Sequence, residues 1–144
     1  MALLFYKIKD PGGYMSNYYK ARFFVYSRWW DTCEHAYQAQ KTYVAAEYDA
    51  IHQAKTANDA RLLGQKVQFR QRWDEIFKDQ VMEECLRAKF LQHKNLRDQL
   101  IATGEEELIE NSPYDSYWGC GKDGDGKNML GKLLMKIRQE LAGE

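Results

Sequence analysis

The segment DTCEHAYQAQKT, residues 31–42, places a carboxylate beside an imidazole at the start of a predicted helix. Two tryptophans, Trp29 and Trp30, come directly before it. One interpretation is a capping box, in which Asp31 caps the helix and Glu34 reaches back to the free N–H of the cap. The other is a catalytic carboxylate, held rigid at a helix start beside aromatic rings. The segment by itself leaves both interpretations open.

A second polar segment, NSPYDSYWGCGKDGDGKN at residues 111–128, supplies another carboxylate, Asp115, and another indole, Trp118. Loops longer than about 12 to 15 residues inside a compact domain are usually functional or disordered. The glycines of this loop would allow backbone amides to close on phosphate oxygens. For Asp115 a functional role and an Asx turn after Pro113 are equally compatible with the sequence.

Carboxylates combined with aromatic rings suit bond cleavage at a ribosyl anomeric carbon. The transition state there is cation-like, so a carboxylate can stabilise positive charge or activate water, and an acid can protonate the leaving group. Glu34 and Asp115 are the candidate carboxylates. Trp30, Trp73 and Trp118 are the candidate surfaces on which a flat base could stack.

The sequence lacks the residue patterns of a metal site, a cysteine nucleophile, a phosphate loop and a calcium loop. The three histidines, His35, His52 and His93, do not have the i, i+4 spacing that places two imidazoles on one helix face, so we expect surface or hydrogen-bonded histidines and no metal site. Cys33 precedes Glu34, but adjacent helix residues point in different directions. GKNMLGKL lacks the Ser or Thr of a phosphate loop, and DGDG lacks the final acid of a calcium loop. We expect a metal-independent mechanism with no cofactor.

The composition is that of an ordinary globular protein. The 144 residues are 44% hydrophobic and have a formal net charge of zero, which argues against a wide nucleic-acid footprint but leaves room for a local basic groove. No apolar stretch approaches the roughly 20 residues of a membrane span, and MALLFYKIKD does not resemble a signal peptide. Three cysteines without CxxC spacing favour reduced thiols. We expect a single domain over residues 1–144, cytoplasmic and not bound to a membrane.

Periodicity predicts an α+β fold that is mostly helical. Aromatic and branched residues predict strands at 3–8, 22–26 and 106–110. Apolar spacing and caps predict helices at 32–42, 45–55, 59–68 (capped by Asn58), 74–92, 95–104 and 130–141, with Gly104 ending one of them. The Pro-Gly-Gly of the first link requires a turn or a close backbone approach.

The order of these motifs resembles the NADAR family, also called YbiA-like proteins. The resemblance covers nearly the whole chain, through PGGYMSNY, WDTCEHAYQAQKT, RWDEIFKDQVM, RAKFLQHKNLRDQLIATG and LIENSPYDSYWGCGKDGDGKNMLGKLLMKIR. It implies an α+β fold and N-glycosidase activity. Within this family some members cleave the amine–ribose bond of early riboflavin intermediates, and others remove ADP-ribose from guanine in nucleic acid.

The resemblance also implies roles for individual residues. Glu34 of the EH motif and Asp115 of D-x-x-W-G are the expected catalytic carboxylates, and Glu34 is expected to serve as helix cap as well. The expected substrate-binding residues are Ser16, Asn17, Lys41, Trp73, Trp118, Gly119 and Asn128. Met15 and Tyr18 stand where phenylalanine is common in the family, which affects the shape of the base pocket.

Three functions are compatible with these residues. The favoured substrate is ADP-ribosylated guanine in DNA or RNA, because the glycine-rich loop suits a diphosphate. The alternative is hydrolysis of early riboflavin intermediates, which are phosphoribosyl small molecules with one phosphate. The third is a non-catalytic ADP-ribose reader, against which Glu34 and Asp115 argue because a reader needs no carboxylate at the anomeric carbon. No obligate protein partner is predicted.

Overall fold

The computed structural model describes residues 1–143, which form two compact units. One unit combines Met1–Tyr19 with the chain from His93 onwards, and the other is Lys20–Gln92. Helices and short strands occur in both units, which confirms the predicted α+β class. The single-domain boundary stays a prediction.

The elements are numbered along the chain. The strands are β1 (Ala2–Phe5), β2 (Lys20–Val25), β3 (Arg28–Thr32) and β4 (Glu107–Glu110). The α-helices are α1 (Cys33–Ala39), α2 (Ala45–His52), α3 (Ala57–Gly64), α4 (Lys78–Gln92), α5 (Lys94–Ala102) and α6 (Met129–Ala142). A 3-10 turn covers Gly13–Met15, and a π-helical turn covers Trp73–Phe77.

Strands β2 and β3 form an antiparallel hairpin in the Lys20–Gln92 unit. Tyr26 and Ser27 both have positive φ, at 54° and 64°, as a two-residue type I′ turn requires. Strand β3 is a correction to the predicted elements, in which no strand lies between residue 26 and the helix expected from 32. Its turn lacks the Asn-Gly signal, although Trp29 is exposed and Trp30 is buried, as the alternation of a strand demands.

Two helix starts differ from their predictions. The helix predicted from Asp74 begins as a π-helical turn, which follows Arg72 in a left-handed conformation, and becomes α-helical only at Lys78. Helix α3 is capped by Thr56, whose hydroxyl accepts a hydrogen bond from the backbone N–H of Asp59. The predicted cap Asn58 is wrong, because this residue already lies inside the helix.

Lys89 on α4 is fully buried, and burial lowers its pKa from 10.5 to about 8. At pH 7 the folded protein therefore holds a charge away from water, which costs stability. Between pH 8 and 10.5 the unfolded chain binds more protons at this residue than the folded chain does, so its contribution to the free energy of unfolding rises with pH.

We expect the free energy of unfolding of Lys89→Met, measured relative to the parent protein in urea titrations, to fall as the pH is raised from 7 to 10, because only the parent gains stability in this range. A difference between the two proteins that stays constant from pH 7 to 10 would contradict the assignment of a charged, buried lysine.

In the other unit, β1 pairs in parallel with β4, and α6 packs on β4. The predicted apolar face of α6 is confirmed, since Leu130, Leu134 and Ile137 are fully buried. The close approach predicted for the Pro-Gly-Gly link is also confirmed, because a Cβ at Gly13 would overlap the carbonyl group of Ile8. Within residues 1–143 no helix is both long and apolar enough to cross a membrane.

Candidate active site

The first turn of α1 does not use the predicted capping box. Thr32 is the cap, and its hydroxyl accepts the backbone N–H of His35 at 3.1 Å. Asp31 therefore does not cap the helix. The threonine hydroxyl fills the role that the capping box assigned to Asp31.

Glu34 is held by a neighbour on the same face of α1. Its Oε2 accepts a hydrogen bond from Nε2 of Gln38 at 2.6 Å, and the two residues are only 7% and 5% exposed. Within residues 1–143 the other amide atom of Gln38, Oε1, is buried and has no hydrogen-bond partner. Gln38 is absent from the sequence predictions. The i, i+4 spacing from Glu34 was the signal that could have revealed it.

Gly64, the last residue of α3, allows this arrangement. A Cβ at position 64 would lie 2.8 Å from Cδ of Gln38, closer than a real Cβ contact allows. The absence of a side chain at this position therefore lets α3 pack directly on the amide group that orients Glu34.

We expect Gly64→Ala to displace Gln38 and to lower kcat/KM about tenfold, the scale of one lost hydrogen bond to a charged group. Gly143→Ala is the control, since a Cβ there makes only ordinary contacts at 3.6 Å. Kinetics in Gly64→Ala that match those of the control would contradict a positioning role for Gln38.

Lys41 follows α1 on the face that carries Glu34. Its ammonium group lies 5.7 Å from the ring centre of Tyr37 and 5.2 Å from that of Phe69. Burial lowers the pKa of Lys41, and the negative charge of Glu34 acts in the opposite direction. Glu34 and Lys41 therefore offer a carboxylate and a partly buried cation to the same region.

The lowered pKa of Lys41 predicts how substrate binding should depend on pH. As the pH rises, Lys41 loses its charge earlier than an ordinary lysine, so we expect KM for a phosphate-bearing substrate to increase on the alkaline side. Lys41→Arg should keep KM flat there, because a guanidinium stays charged. The measurement is KM between about pH 7 and 10 for both proteins. An equal rise in the two would exclude Lys41 as the titrating group.

The two candidate stacking tryptophans of this unit, Trp30 and Trp73, are not open stacking surfaces. Trp73 is 3% exposed and lies against Tyr37, with ring centres 5.4 Å apart. Trp30 is 1% exposed and donates its Nε1–H to the carbonyl of Val25. Trp73 therefore packs on Tyr37 of α1, and Trp30 is part of the core. Both rings are almost completely buried, so neither presents a free face on which a base could stack.

The remaining reactive side chains near Glu34 have structural roles. His35 is 1% exposed, and its ring nitrogens bond to the Thr32 hydroxyl at 2.7 Å and to the Ala54 carbonyl at 2.9 Å, which confirms the expected hydrogen-bonded histidine. Cys33 is fully buried and is a free thiol. Within residues 1–143 no group of three or more potential ligands is arranged to hold a metal ion.

The other predicted site residues belong to the unit that combines Met1–Tyr19 with the chain from His93 onwards. Ser16 and Asn17 are buried directly after the 3-10 turn, and the Ser16 hydroxyl accepts the backbone N–H of Tyr18 at 3.1 Å. Asp115 accepts the backbone N–H groups of Tyr117 and Trp118 at 2.9 and 2.8 Å through one oxygen, Oδ1. Asp115 therefore does make an Asx turn. A role in chemistry remains a proposal.

The sequence predicts that amides of the glycine-rich loop bind phosphate, but most of them already donate hydrogen bonds within the protein. Besides the two that bond to Asp115, amides that donate within the protein include those of Asn111, Tyr114, Cys120, Gly121, Gly124, Gly126, Lys127, Asn128, Met129 and Leu130. Those of Met129 and Leu130 belong to the first turn of α6, whose N-terminus is thereby capped by loop carbonyls. The loop folds on its own backbone.

Two predicted substrate-binding residues hold this loop in place. Asn128 accepts the backbone N–H of Glu110 and donates to the carbonyl of Leu108, so both ends of its amide are occupied. Gly119 is buried, and a Cβ there would lie 2.9 Å from the carbonyl oxygen of Glu110. These contacts of Asn128 and Gly119 fix the conformation of the loop. Trp118, whose ring packs edge-on against Tyr117 at 4.9 Å, is half-buried.

Comparison with known proteins places these residues in a family. The NADAR domain model matches residues 4–142. An N-glycosidase of Nostoc punctiforme, Npun_R5314, is 43% identical over 98% of this chain and 93% of its own length. The N-glycosidase YbiA of Escherichia coli is 39% identical over 97% and 88%, and its NMR structure matches with a TM-score of 0.90 at 38% identity, covering 98% of this chain and 84% of that one.

A longer protein also matches. The riboflavin biosynthesis protein VVA0006 of Vibrio vulnificus is 39% identical over 96% of this chain, which corresponds to 38% of the Vibrio protein. The match to the family model and the similarity to these relatives run over almost the full length of the chain. The chain therefore belongs to the NADAR domain family.

Proposed function

We propose that this protein is an N-glycosidase that removes ADP-ribose from ADP-ribosylated guanine in nucleic acid. The observation that carries the chemistry is the buried Glu34 carboxylate, fixed by Gln38 at 2.6 Å and close enough to Lys41 to influence its charge. A fixed carboxylate beside a cation suits a reaction in which positive charge develops on a ribose that carries phosphate. Family membership supports the general activity.

In the proposed step, an oxygen of water forms a bond to the anomeric carbon of the ribose while the bond from that carbon to the guanine amine breaks. One proton of the water passes to the departing nitrogen, and the other stays on the oxygen, which becomes the new anomeric hydroxyl group. Glu34 stabilises the cation-like ribose or takes the proton from water. Asp115 is the proposed second carboxylate. Lys41 is the proposed phosphate contact, through a charge-assisted hydrogen bond.

A large substrate is favoured by the surface beyond Lys41. Phe69, whose ring lies below the Lys41 ammonium group, lines an open groove of about 590 Å³. This space is of the size that usually holds most of a drug-sized ligand. A phosphoribosyl pyrimidine would leave much of the groove empty, whereas a modified nucleic acid could extend along it.

A second substrate class is supported by one relative. The Vibrio protein carries a similar domain within a longer chain that is named for riboflavin biosynthesis. Linkage to such a chain favours an early riboflavin intermediate, which has the same ribose–amine bond and one phosphate. The catalytic proposal for Glu34 is the same for both substrates, so only the group beyond the ribose differs.

The two substrates are distinguished by direct competition. The protein is incubated with an ADP-ribosylated guanine oligonucleotide and, separately, with early riboflavin intermediates, and kcat/KM is compared. We expect the oligonucleotide to be the better substrate. Turnover of the riboflavin intermediates alone would replace the proposed substrate by the second one. Binding of ADP-ribose without turnover of either compound would indicate a reader instead.

A further inference from the structure

The groove beyond Lys41 is lined by cations and aromatic rings, and we name it the arginine–aromatic groove. The side chains that matter are those of Tyr43, Phe69, Arg70, Arg72 and Phe77. All of them belong to the Lys20–Gln92 unit. Arg72 forms an exposed ion pair with Glu75 at 3.8 Å, so the positive charge of this groove, on a chain whose formal net charge is zero, rests on Arg70.

Arg70 is the centre of the groove. Its guanidinium carbon lies 4.1 Å from the ring centre of Phe77 and 5.0 Å from that of Tyr43. Its Nη1 donates to the carbonyl of Gln40 at 3.2 Å, and its Nε is buried without a hydrogen-bond partner within residues 1–143. Arg70 forms no ion pair in this part of the chain. Its charge is held in place by aromatic rings and is not neutralised.

The neighbouring rings are open to solvent. Tyr43 is 76% exposed and Phe69 is 46% exposed. Exposed aromatic faces beside an unneutralised guanidinium match the two parts of a nucleotide, because a base stacks on a ring and a phosphate takes the forked hydrogen bonds of arginine. An acidic peptide would use the cation but would leave the two rings without flat partners.

Backbone contacts connect the groove to the catalytic face. The backbone N–H of Arg70 donates to the carbonyl of Lys41 at 2.7 Å, and Thr42 forms an isolated β-bridge with Phe69. The Lys41 ammonium group also lies over the Phe69 ring. The groove therefore begins where the face with Glu34 and Lys41 ends, and the two are held in a fixed relation.

We infer that the arginine–aromatic groove binds the single strand of nucleic acid that carries the modified guanine. Arg70 contacts a phosphodiester that flanks this guanine, and Tyr43 or Phe69 stacks on a neighbouring base. A single strand is required, because the faces of the bases in a duplex are already stacked on one another. The inference rests on the proposed function and specifies its substrate as a strand, not a free nucleoside.

The first experiment measures binding without turnover. A fluorescently labelled, unmodified single-stranded oligonucleotide that contains guanine is titrated with the protein at low salt, and anisotropy gives Kd. We expect saturable binding that weakens as salt is added. We expect Tyr43→Ala to raise Kd about tenfold, the scale of one lost base stack. Arg70→Met should raise Kd and flatten the salt dependence. Absence of binding, or an unchanged Kd in both variants, would overturn the inference.

Trp29→Ala is the matched control. Trp29 is another exposed aromatic ring of the same unit, 50% exposed, and the Arg22 guanidinium lies 5.2 Å from its ring centre. It does not line the groove. This variant removes another exposed ring beside an arginine, but outside the groove, so its Kd should equal that of the parent protein. A loss equal to that of Tyr43→Ala would show that the oligonucleotide binds exposed aromatics without regard to the groove.

A second experiment separates this inference from the proposed function. The parent protein and Tyr43→Ala are compared on an ADP-ribosylated guanine oligonucleotide and on ADP-ribosylated guanosine. We expect the parent to prefer the oligonucleotide and Tyr43→Ala to lose most of that preference. Equal kcat/KM for the two substrates in the parent protein would overturn the groove and leave the function standing. Turnover of neither substrate would remove the proposed function itself.

Discussion

Glu34→Gln is expected to lower kcat about 10²-fold or more, the range for loss of an acid–base residue, while the melting temperature changes by only a few degrees. The fold should persist because the helix start is capped by Thr32, whose hydroxyl accepts from the backbone of His35. The amide that replaces the carboxylate is nearly the same size, but it cannot carry the negative charge that a cation-like ribose needs.

The test of Glu34 combines single-turnover kinetics with thermal unfolding. The control variant is Asp31→Asn. Gln38→Glu would not serve, because it would place a second carboxylate beside Glu34. Asp31 precedes α1, and its carboxylate lies 3.9 Å from Arg22 with nearly half its side chain exposed, at 46%. We expect Asp31→Asn to keep full turnover. A collapse of the melting temperature in Glu34→Gln would mean that the carboxylate is chiefly structural.

Asp115→Asn is expected to lower kcat by about 10²-fold as well, if this carboxylate is the second catalytic group. The substitution separates the two roles of the residue. Asparagine keeps an oxygen that can accept the backbone N–H groups of Tyr117 and Trp118, so the Asx turn should survive. What is lost is the negative charge and the ability to exchange a proton.

Asp115→Ala completes this comparison. It removes the acceptor too, so both the turn and any chemistry are lost, and the protein should be less stable than Asp115→Asn by about 1 kcal/mol. Full turnover in Asp115→Asn would assign the residue to the loop alone. Glu34 would then be the only carboxylate to which the proposed chemistry assigns a role.

Elements with a strong local signal could be predicted from the sequence. The apolar stripe of Met82, Leu86 and Phe90 on α4 is buried as expected, because a period near four residues has few other structural explanations. Gly104 has a φ of 65° and ends α5, since glycine enters the left-handed region without strain. By contrast, β3 is short, and its hairpin turn is made by residues that rarely adopt positive φ.

The site was predictable only in part. Glu34 was selected by the resemblance to the NADAR family, because a carboxylate in the first turn of a helix is by itself an ordinary capping feature, and no motif assignment pointed to its partner Gln38. The glycine-rich loop was expected to present amides to a phosphate, but every buried amide needs an acceptor, and the loop supplies its own. Arg70 could not be recognised, because its setting depends on the bridge between Thr42 and Phe69, which are far apart in the sequence.

The central claim is that the protein breaks the bond between a ribose and an amine with the carboxylate of Glu34. The most direct test is the mass of the product after complete reaction with the ADP-ribosylated guanine oligonucleotide. We predict an oligonucleotide with unmodified guanine, together with intact ADP-ribose, and no such products with Glu34→Gln in the same time. An oligonucleotide that retains a phosphoribosyl group, or an unmodified product formed equally fast by Glu34→Gln, would contradict this account.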